Sequence, residues 1–339
     1  METPPSSSTD EPTQRARPRA VIAMLLVTII WGWAFVWMKQ AVNAGDVWLR
    51  VHAPLSATGG PFETHGLLTT IGIFMALRFG AAAITLALLS ARARRALDAA
   101  AWRGGLLLGG LLVLGFFLQM FGLNSIPPSV SAFLTSLYVL FTAAIIAWLA
   151  RQMPSPQLML GALLATLGAA YVDGPQQFSF GVGEWLTIAS AFVFAVHIVF
   201  TDRVTKRVDP MAVSLTSFIV VALGSLAAAG LGIASSHTPA LGEVRQLVVD
   251  PQFLLALSCA SLFATLIAIS VMNLFQRELN PVRAAIIYAI EPVWATLIAV
   301  AIGMEHPSRW LYFGGAGLLA GNLVAEVRRR RVSPPPVNR

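Results

Sequence analysis

The sequence contains little charge and almost no cysteine. Only 12% of its 339 residues are charged, whereas 56% are hydrophobic. A soluble domain of this length cannot bury so much apolar surface, so the composition excludes a soluble globular protein and indicates an integral membrane protein. The single cysteine, Cys259, excludes an intramolecular disulfide. Because it falls within an apolar run, we interpret it as a small buried side chain.

Signals for nucleotide-driven chemistry and for nucleic-acid binding are also missing. No GxxxxGK loop occurs, so a transport cycle would draw on solute gradients rather than on bound nucleotide. The net charge of +7 comes from short basic clusters between apolar runs, which fits membrane topology better than a nucleic-acid partner. We predict no cofactor and no metal site, and the expected partners are a small-molecule substrate and the lipid bilayer.

Ten apolar runs are long enough to be membrane-spanning helices, which need about 20 residues each. We predict these spans at 20–41, 66–90, 103–123, 129–150, 155–171, 183–200, 210–234, 251–275, 282–304 and 307–327. Residues 43–65 are interpreted as a loop on the outer side, in which 47–51 forms a strand or lies at the interface. Most of the 23 Lys and Arg residues fall on the side that holds both termini, so we expect both termini in the cytoplasm of a multi-pass cell-membrane protein.

A repeated segment divides the chain into two halves. The segment 128–168 recurs at 281–321 with a constant step of 281 − 128 = 153 residues, and the prolines and glycines keep their register: Pro128 with Pro281, Pro154 with Pro307, Gly161 with Gly314 and Gly168 with Gly321. A repeat unit of five helices inserts its second copy upside down, as in many secondary transporters. The predicted fold is therefore an all-α polytopic membrane protein of ten transmembrane helices, arranged as two inverted five-helix repeats.

The two repeats and the polar segments around them divide the whole chain. We expect a disordered tail at 1–19, a first repeat at 20–173, a linker at 174–182, a second repeat at 183–327 and a basic tail at 328–339. Because a substrate site in such proteins lies where the two repeats meet, candidate site residues are the polar groups placed near the middle of their spans.

Several short motifs carry a family resemblance. They are Trp31-Gly32 with Phe35, Leu77-Arg78-Phe79, and Glu291-Pro292-Val293 followed by Glu305 and Gly314. With them the chain resembles the EamA-type transporters of the drug/metabolite transporter superfamily over 20–327, which implies a ten-helix fold and the movement of small metabolites, often outward. The two halves differ at two equivalent positions of the repeat. The first half has Tyr138-Val139 where the second has Glu291-Pro292, and it has Gln152 where the second has Glu305.

Glu291 is the strongest candidate for coupling or substrate binding. It lies nine residues into its span, about 13 Å along a helix and therefore near the bilayer centre. A carboxylate at that depth must be protonated, paired or in contact with a wet cavity. Pro292 removes a backbone donor and predicts a kink. Glu291 then either satisfies backbone groups freed by the kink or takes part in transport.

Seven further residues are candidates for the same site, six of them with a structural alternative. Tyr138, at the depth of Glu291 in the other half, and Tyr288, one turn from it, either line a cavity or pack. Trp31 lies deep enough to contact substrate. The amides of Gln119 and Asn273 either face the cavity or join helices. The remaining two are ionisable: His197 is a proton relay or a packing residue, and Arg78 attracts an anionic group, snorkels or forms a structural pair.

We expect a secondary transporter, not an enzyme, that moves a small amino acid-like or amphiphilic metabolite by alternating access, as an exporter driven by protons or exchange. Two alternatives stay open. One is a polytopic membrane enzyme that uses His197 or Glu291, and the other is a scaffold or sensor that transports nothing. Solute flux, product formation or neither would distinguish the three. The substrate and the oligomeric state stay open.

Overall fold

The computed structural model describes residues 18–52, 61–151, 153, 156–171, 180–235, 241–279, 281–306 and 308–326. Within these ranges every regular element is a helix, so the predicted all-α class is confirmed. The predicted tail at 328–339, almost all of the tail at 1–19 and most of the linker at 174–182 lie outside the described residues.

The helices follow one another with short connections. In chain order they are α1 (Pro18–His52), α2 (Pro61–Leu89), α3 (Ala91–Arg95), α4 (Ala99–Ser125), α5 (Pro128–Thr135), α6 (Tyr138–Leu149), α7 (Pro156–Tyr171), α8 (Val182–Thr205), α9 (Pro210–Ser235), α10 (Leu241–Val249), α11 (Pro251–Cys259), α12 (Ala268–Phe275), α13 (Pro281–Tyr288), α14 (Glu291–Ala301) and α15 (Arg309–Glu326). A π-helical segment, Ala260–Ile267, joins α11 to α12, and a 3₁₀ turn, Gln276–Glu278, follows α12.

Eight helical stretches in the described part of the chain are long and apolar enough to cross a membrane. The other two predicted spans correspond to α7 and α15, which are helical but fall short of that standard. Helix α7 has 16 residues, about 24 Å at 1.5 Å per residue. Helix α15 has 18 residues, among them the polar Arg309, Asn322 and Glu326. A multi-pass membrane protein is therefore supported, whereas the count of ten spans stays a prediction.

The predicted outer loop at 43–65 is wrong over much of its length. Helix α1 continues to His52 and α2 begins at Pro61, so 47–51 is helical rather than a strand. The helix continues because Val42, Ala44 and Trp48 extend its buried face into the core. Residues 53–60 of this loop lie outside the described ranges.

Two spans are broken in their middle at equivalent positions of the repeat. Helix α5 ends before Ser136–Leu137 and α13 ends before Ala289–Ile290, and both breaks carry the same tight bonds. Ser136 N donates to Phe133 O at 3.1 Å, and Ala289 N donates to Ile286 O at 3.1 Å. The helix is thus interrupted beside Pro292, where the kink is predicted, and an interruption at the equivalent point of the first half is a further finding.

The break in the first half has no proline, so a different group stabilises it. The side chain of Asn322 on α15 donates from Nδ2 to the carbonyl of Ser136 at 3.2 Å and to its hydroxyl at 3.0 Å. The Ser136 carbonyl also accepts from the backbone N–H of Val139 at 3.1 Å, so Asn322 inserts a second, side-chain donor at the break. Pro292 and Asn322 therefore stabilise matching breaks by different means.

Glycines bring pairs of helices into close backbone contact. Gly168 of α7 lies against Leu318 of α15, while Gly321 of α15 lies against Ala165 of α7. Gly321 follows Gly168 by 153 residues, and Leu318 follows Ala165 by the same step. The two contacts are therefore equivalent with the halves exchanged, and we call the contact reciprocal. The same kind of packing joins α2 to α9, where Gly72 faces the backbone of Ala229. These close pairs flank the helices that surround the central cavity.

Candidate functional site

A central cavity lies between the two halves of the chain. It is lined by side chains from α1, α2, α4, α5 and α6 of the first half and from α8, α12, α13 and α14 of the second. The apolar part of its wall comprises Ala34, Phe35, Met38, Leu112, Phe116, Phe194, Ile198, Ile269 and Met272. Seven of the eight predicted site residues line it as well, all except Asn273.

Glu291 and Tyr138 face each other across the cavity. The two breaks place them there, because Glu291 is the first residue of α14 and Tyr138 is the first residue of α6. The Tyr138 hydroxyl donates to Glu291 Oε2 at 3.5 Å, and the two residues are separated by 153 positions, the repeat step itself. Equivalent points of the two halves therefore meet, and one contributes an acid where the other contributes a phenol.

Tyr288 and Trp31 form an aromatic wall beside Glu291. Their rings lie 5.2 Å apart, and the Tyr138 ring meets Tyr288 edge-on at 6.5 Å. The Tyr288 hydroxyl lies 3.0 Å from Gln276 Oε1, to which it donates, and Trp31 Nε1 donates to the carbonyl of Ala264 at 3.2 Å. Both polar tips are satisfied by protein, so these rings present apolar faces to the cavity.

The two predicted amides have different positions. Gln119 lines the cavity and donates from Nε2 to the hydroxyl of Thr135 at 3.1 Å. Asn273 is buried away from the cavity and donates from Nδ2 to Ser214 Oγ at 2.8 Å, which joins α12 to α9. Gln119 is therefore a cavity residue, whereas Asn273 has the helix-joining position that is the structural alternative for an amide.

His197 lies on the cavity wall and is 4% exposed. Its Nδ1 lies 3.4 Å from the hydroxyl of Thr201, one turn further along α8. Its position and its partner are compatible with both roles expected from the sequence, a proton relay and a packing residue.

Arg78 is buried rather than snorkelling. It is 1% exposed, and its Nε donates to Thr265 Oγ1 at 2.6 Å. Its guanidinium carbon lies 5.0 Å from the centre of the Phe116 ring and 5.3 Å from that of Phe79. In the described part of the chain no carboxylate forms an ion pair with it, and Nη1 has no hydrogen-bond partner. The expected structural pair with an acid is therefore not formed among these residues.

Three polar residues outside the predicted set bind helices that line the cavity. Thr265 fixes Arg78 from the π-helical segment. Lys39 donates from Nζ to the carbonyls at the end of α4, 2.5 Å from that of Leu123, and Glu305 accepts from the backbone N–H of Ser129 at 2.9 Å. Lys39 thus binds a helix carboxyl end and Glu305 a helix amino end, as the helix dipole favours. Sequence could single out Lys39 and Glu305 as charges in apolar surroundings, but not their partners.

The apolar residues that line the cavity could not be identified from the sequence. Phe116, Phe194 and Met272 lie in spans that are apolar on every side, so hydrophobic periodicity does not tell a cavity face from a lipid face.

Comparisons with known proteins agree with the predicted resemblance. Residues 181–325 match the EamA-like transporter family, which confirms the resemblance over the second half of the chain. An uncharacterized transporter from Archaeoglobus fulgidus is 26% identical over 229 residues, which cover 67% of this chain and 70% of that protein. One solved crystal structure superposes with a TM-score of 0.55 at 20% identity, covering 94% of this chain and 100% of that chain, and it supports a shared fold. Together the matches and the apolar helices support a membrane transporter.

Proposed function

We propose that this protein is a secondary transporter that moves a small metabolite across the cell membrane by alternating access to the central cavity. The observation that carries the proposal is the contact between Tyr138 and Glu291, repeat-equivalent residues that meet in a cavity lined from both halves. A site at the meeting point of two repeats can open to either side with few new contacts.

The proposed architecture is ten membrane-spanning helices in two inverted five-helix repeats, the first at 20–173 and the second at 183–327. The reciprocal contacts of Gly168 and Gly321 support a two-fold relation between the halves, because a two-fold axis repeats each contact with its members exchanged. Both termini would face the cytoplasm. In a Cys259→Ala background, cysteines introduced at Asn124 and Arg277, exposed positions that are 153 residues apart and therefore equivalent in the two repeats, should react with an impermeant maleimide from opposite sides. Labelling of both from one side would contradict the inverted arrangement.

Glu291 would couple transport to a gradient. Glu291 is 7% exposed, and its carboxyl group has one polar partner in the described structure, Tyr138. A carboxyl group in that setting is stabilised by a proton or by a cationic group of a substrate, and exchange of the two at one site links their movements. This supports proton coupling or exchange, with export as the direction.

The proposed ligand is an amino acid-like or amphiphilic compound, since polar groups lie beside an aromatic wall. We assign the protein no enzymatic activity and no nucleic-acid partner. The lipid bilayer is its surroundings, and a small-molecule substrate is its partner.

Purified protein in liposomes tests the proposal. A panel of metabolites should include at least one whose uptake or release depends on the protein, and a pH gradient should change its rate if protons are coupled. Glu291→Gln should abolish the flux or its pH dependence while insertion stays normal. Glu184→Gln is the matched control, because it removes a buried carboxylate of α8 that does not line the cavity.

Each other outcome contradicts a defined part of the proposal. Chemical conversion of a metabolite in place of flux would indicate a membrane enzyme, and neither flux nor conversion would indicate a scaffold or sensor. Wild-type flux with unchanged pH dependence in Glu291→Gln would remove Glu291 from coupling.

A further inference from the structure

The buried guanidinium of Arg78 is the cationic group of the cavity that the coupling proposal leaves unused. Among the described lining residues it is the one Lys or Arg. Its Nη1 is buried and without a hydrogen-bond partner in the described structure, while Nε is bound to Thr265. Leaving a buried charged donor unsatisfied is expensive, so such a group is expected to have a function or a missing ligand.

The surroundings of Arg78 keep it in place. Phe79 and Phe116 flank the guanidinium, and Thr265 accepts its Nε–H. Thr265 belongs to the π-helical segment, and the preceding residue of that segment, Ala264, accepts from Trp31. A π-helical turn shifts the side chains and carbonyls that follow it, and such turns are frequent at functional sites. Here it fixes two cavity residues from two different helices, α1 and α2.

We propose that Arg78 is an anion subsite that binds the carboxylate of a small substrate whose apolar body lies against Phe116 and Trp31. A guanidinium forms strong charge-assisted hydrogen bonds with carboxylates, and its free Nη1 provides the donors. A single cationic side chain balances a singly charged carboxylate, whereas a doubly charged phosphate would need more positive charge than the lining residues offer. This inference rests on the proposed function and narrows its substrates to monocarboxylates, amino acids included.

Binding of two matched probes to protein in nanodiscs tests the subsite. The probes are 3-phenylpropionate and its neutral amide, 3-phenylpropionamide, which differ in the carboxylate alone. Titration calorimetry of wild-type protein should give a tighter dissociation constant for the carboxylate by about 10-fold or more. In Arg78→Gln the affinity for the carboxylate should fall about 10- to 100-fold, while the affinity for the amide stays the same.

Arg92→Gln is the control for a lost positive charge, because Arg92 pairs with Asp209 at an exposed position outside the cavity. It should keep the preference for the carboxylate. If Arg78→Gln fails to fold, the comparison of the two probes on wild-type protein can still refute the subsite. Equal or absent binding of the probes to wild-type protein would overturn the proposal, as would a preference that survives in Arg78→Gln.

The same probes separate this proposal from the proposed function. Carboxylate-selective binding without flux in liposomes would leave the subsite in place and contradict transport. Flux of metabolites without carboxylate selectivity would support transport and overturn the subsite.

Discussion

Replacing Gly168 with alanine should separate α7 from α15. A Cβ atom built on Gly168 lies 2.6 Å from the carbonyl oxygen of Gly314 and 2.8 Å from the carbonyl carbon of Gly317, both of which are backbone atoms. Ordinary contacts of a Cβ atom begin at 3.4 Å, and the backbone nitrogen of Leu318 lies closer to this Cβ than either carbonyl atom, so the helices must move apart by more than 3.4 − 2.6 = 0.8 Å. Overpacking of this kind costs about 1–3 kcal/mol.

Gly110→Ala is the matched control, because a Cβ atom on Gly110 meets nothing within 4 Å. Both substitutions gain the same helix propensity, about 1 kcal/mol, so this gain cancels when the two variants are compared. Gly168→Ala should therefore be less stable than Gly110→Ala by about 1–3 kcal/mol in the free energy of unfolding. Because the contact is reciprocal, Gly321→Ala should show a loss of similar size.

Denaturant unfolding in detergent, followed by tryptophan fluorescence, measures this difference. Equal stability of Gly168→Ala and Gly110→Ala would refute the close α7–α15 contact. A large loss in Gly168→Ala with none in Gly321→Ala would refute its reciprocal nature, and with it one support for the inverted repeat.

Three further substitutions test the polar contacts that shape the cavity, and unfolding measurements check each of them. Thr265→Val should destabilise the protein by about 1–3 kcal/mol because Arg78 Nε loses its acceptor, whereas Thr265→Ser keeps the hydroxyl and should lose less. Lys39→Met should lose about 1–3 kcal/mol because the carbonyls at the end of α4 lose their donor, and a stability equal to wild type would show that water replaces it. Glu305→Ala should lose about 0.5–2 kcal/mol because it removes the cap at the start of α5, with Glu305→Gln intermediate.

Most polar members of the candidate site could be predicted from the sequence, although Thr135, which also lines the cavity, was not. Glu291, Arg78 and His197 stand out because ionisable groups are rare in apolar spans and must find water, a partner or a ligand. Seven of the eight predicted residues do line the cavity. Asn273 does not, because an amide is satisfied equally well by another helix, and the sequence does not reveal that Ser214 lies opposite it.

The fold was predictable where one physical cause dominates. Long apolar runs must form helices in a membrane, since the lipid offers backbone groups no other partner, and in the described part of the chain eight of the ten predicted spans are long and apolar enough to cross it. Helix ends were harder: α1 continues past the predicted end because Trp48 packs into the core, which depends on neighbours that are distant in sequence.

The sequence by itself determined that the protein is helical, lies in a membrane and repeats a segment after 153 residues. Composition and repeat register are properties of the chain alone and do not depend on which residues come into contact. Only the tertiary structure decided that Tyr138 meets Glu291, that Asn322 holds the break opposite Pro292, and that Arg78 is left with an unpartnered Nη1 among the described residues. The reason is that such contacts depend on how helices approach one another, and an apolar helix surface permits many approaches until the glycines and the buried polar groups select one.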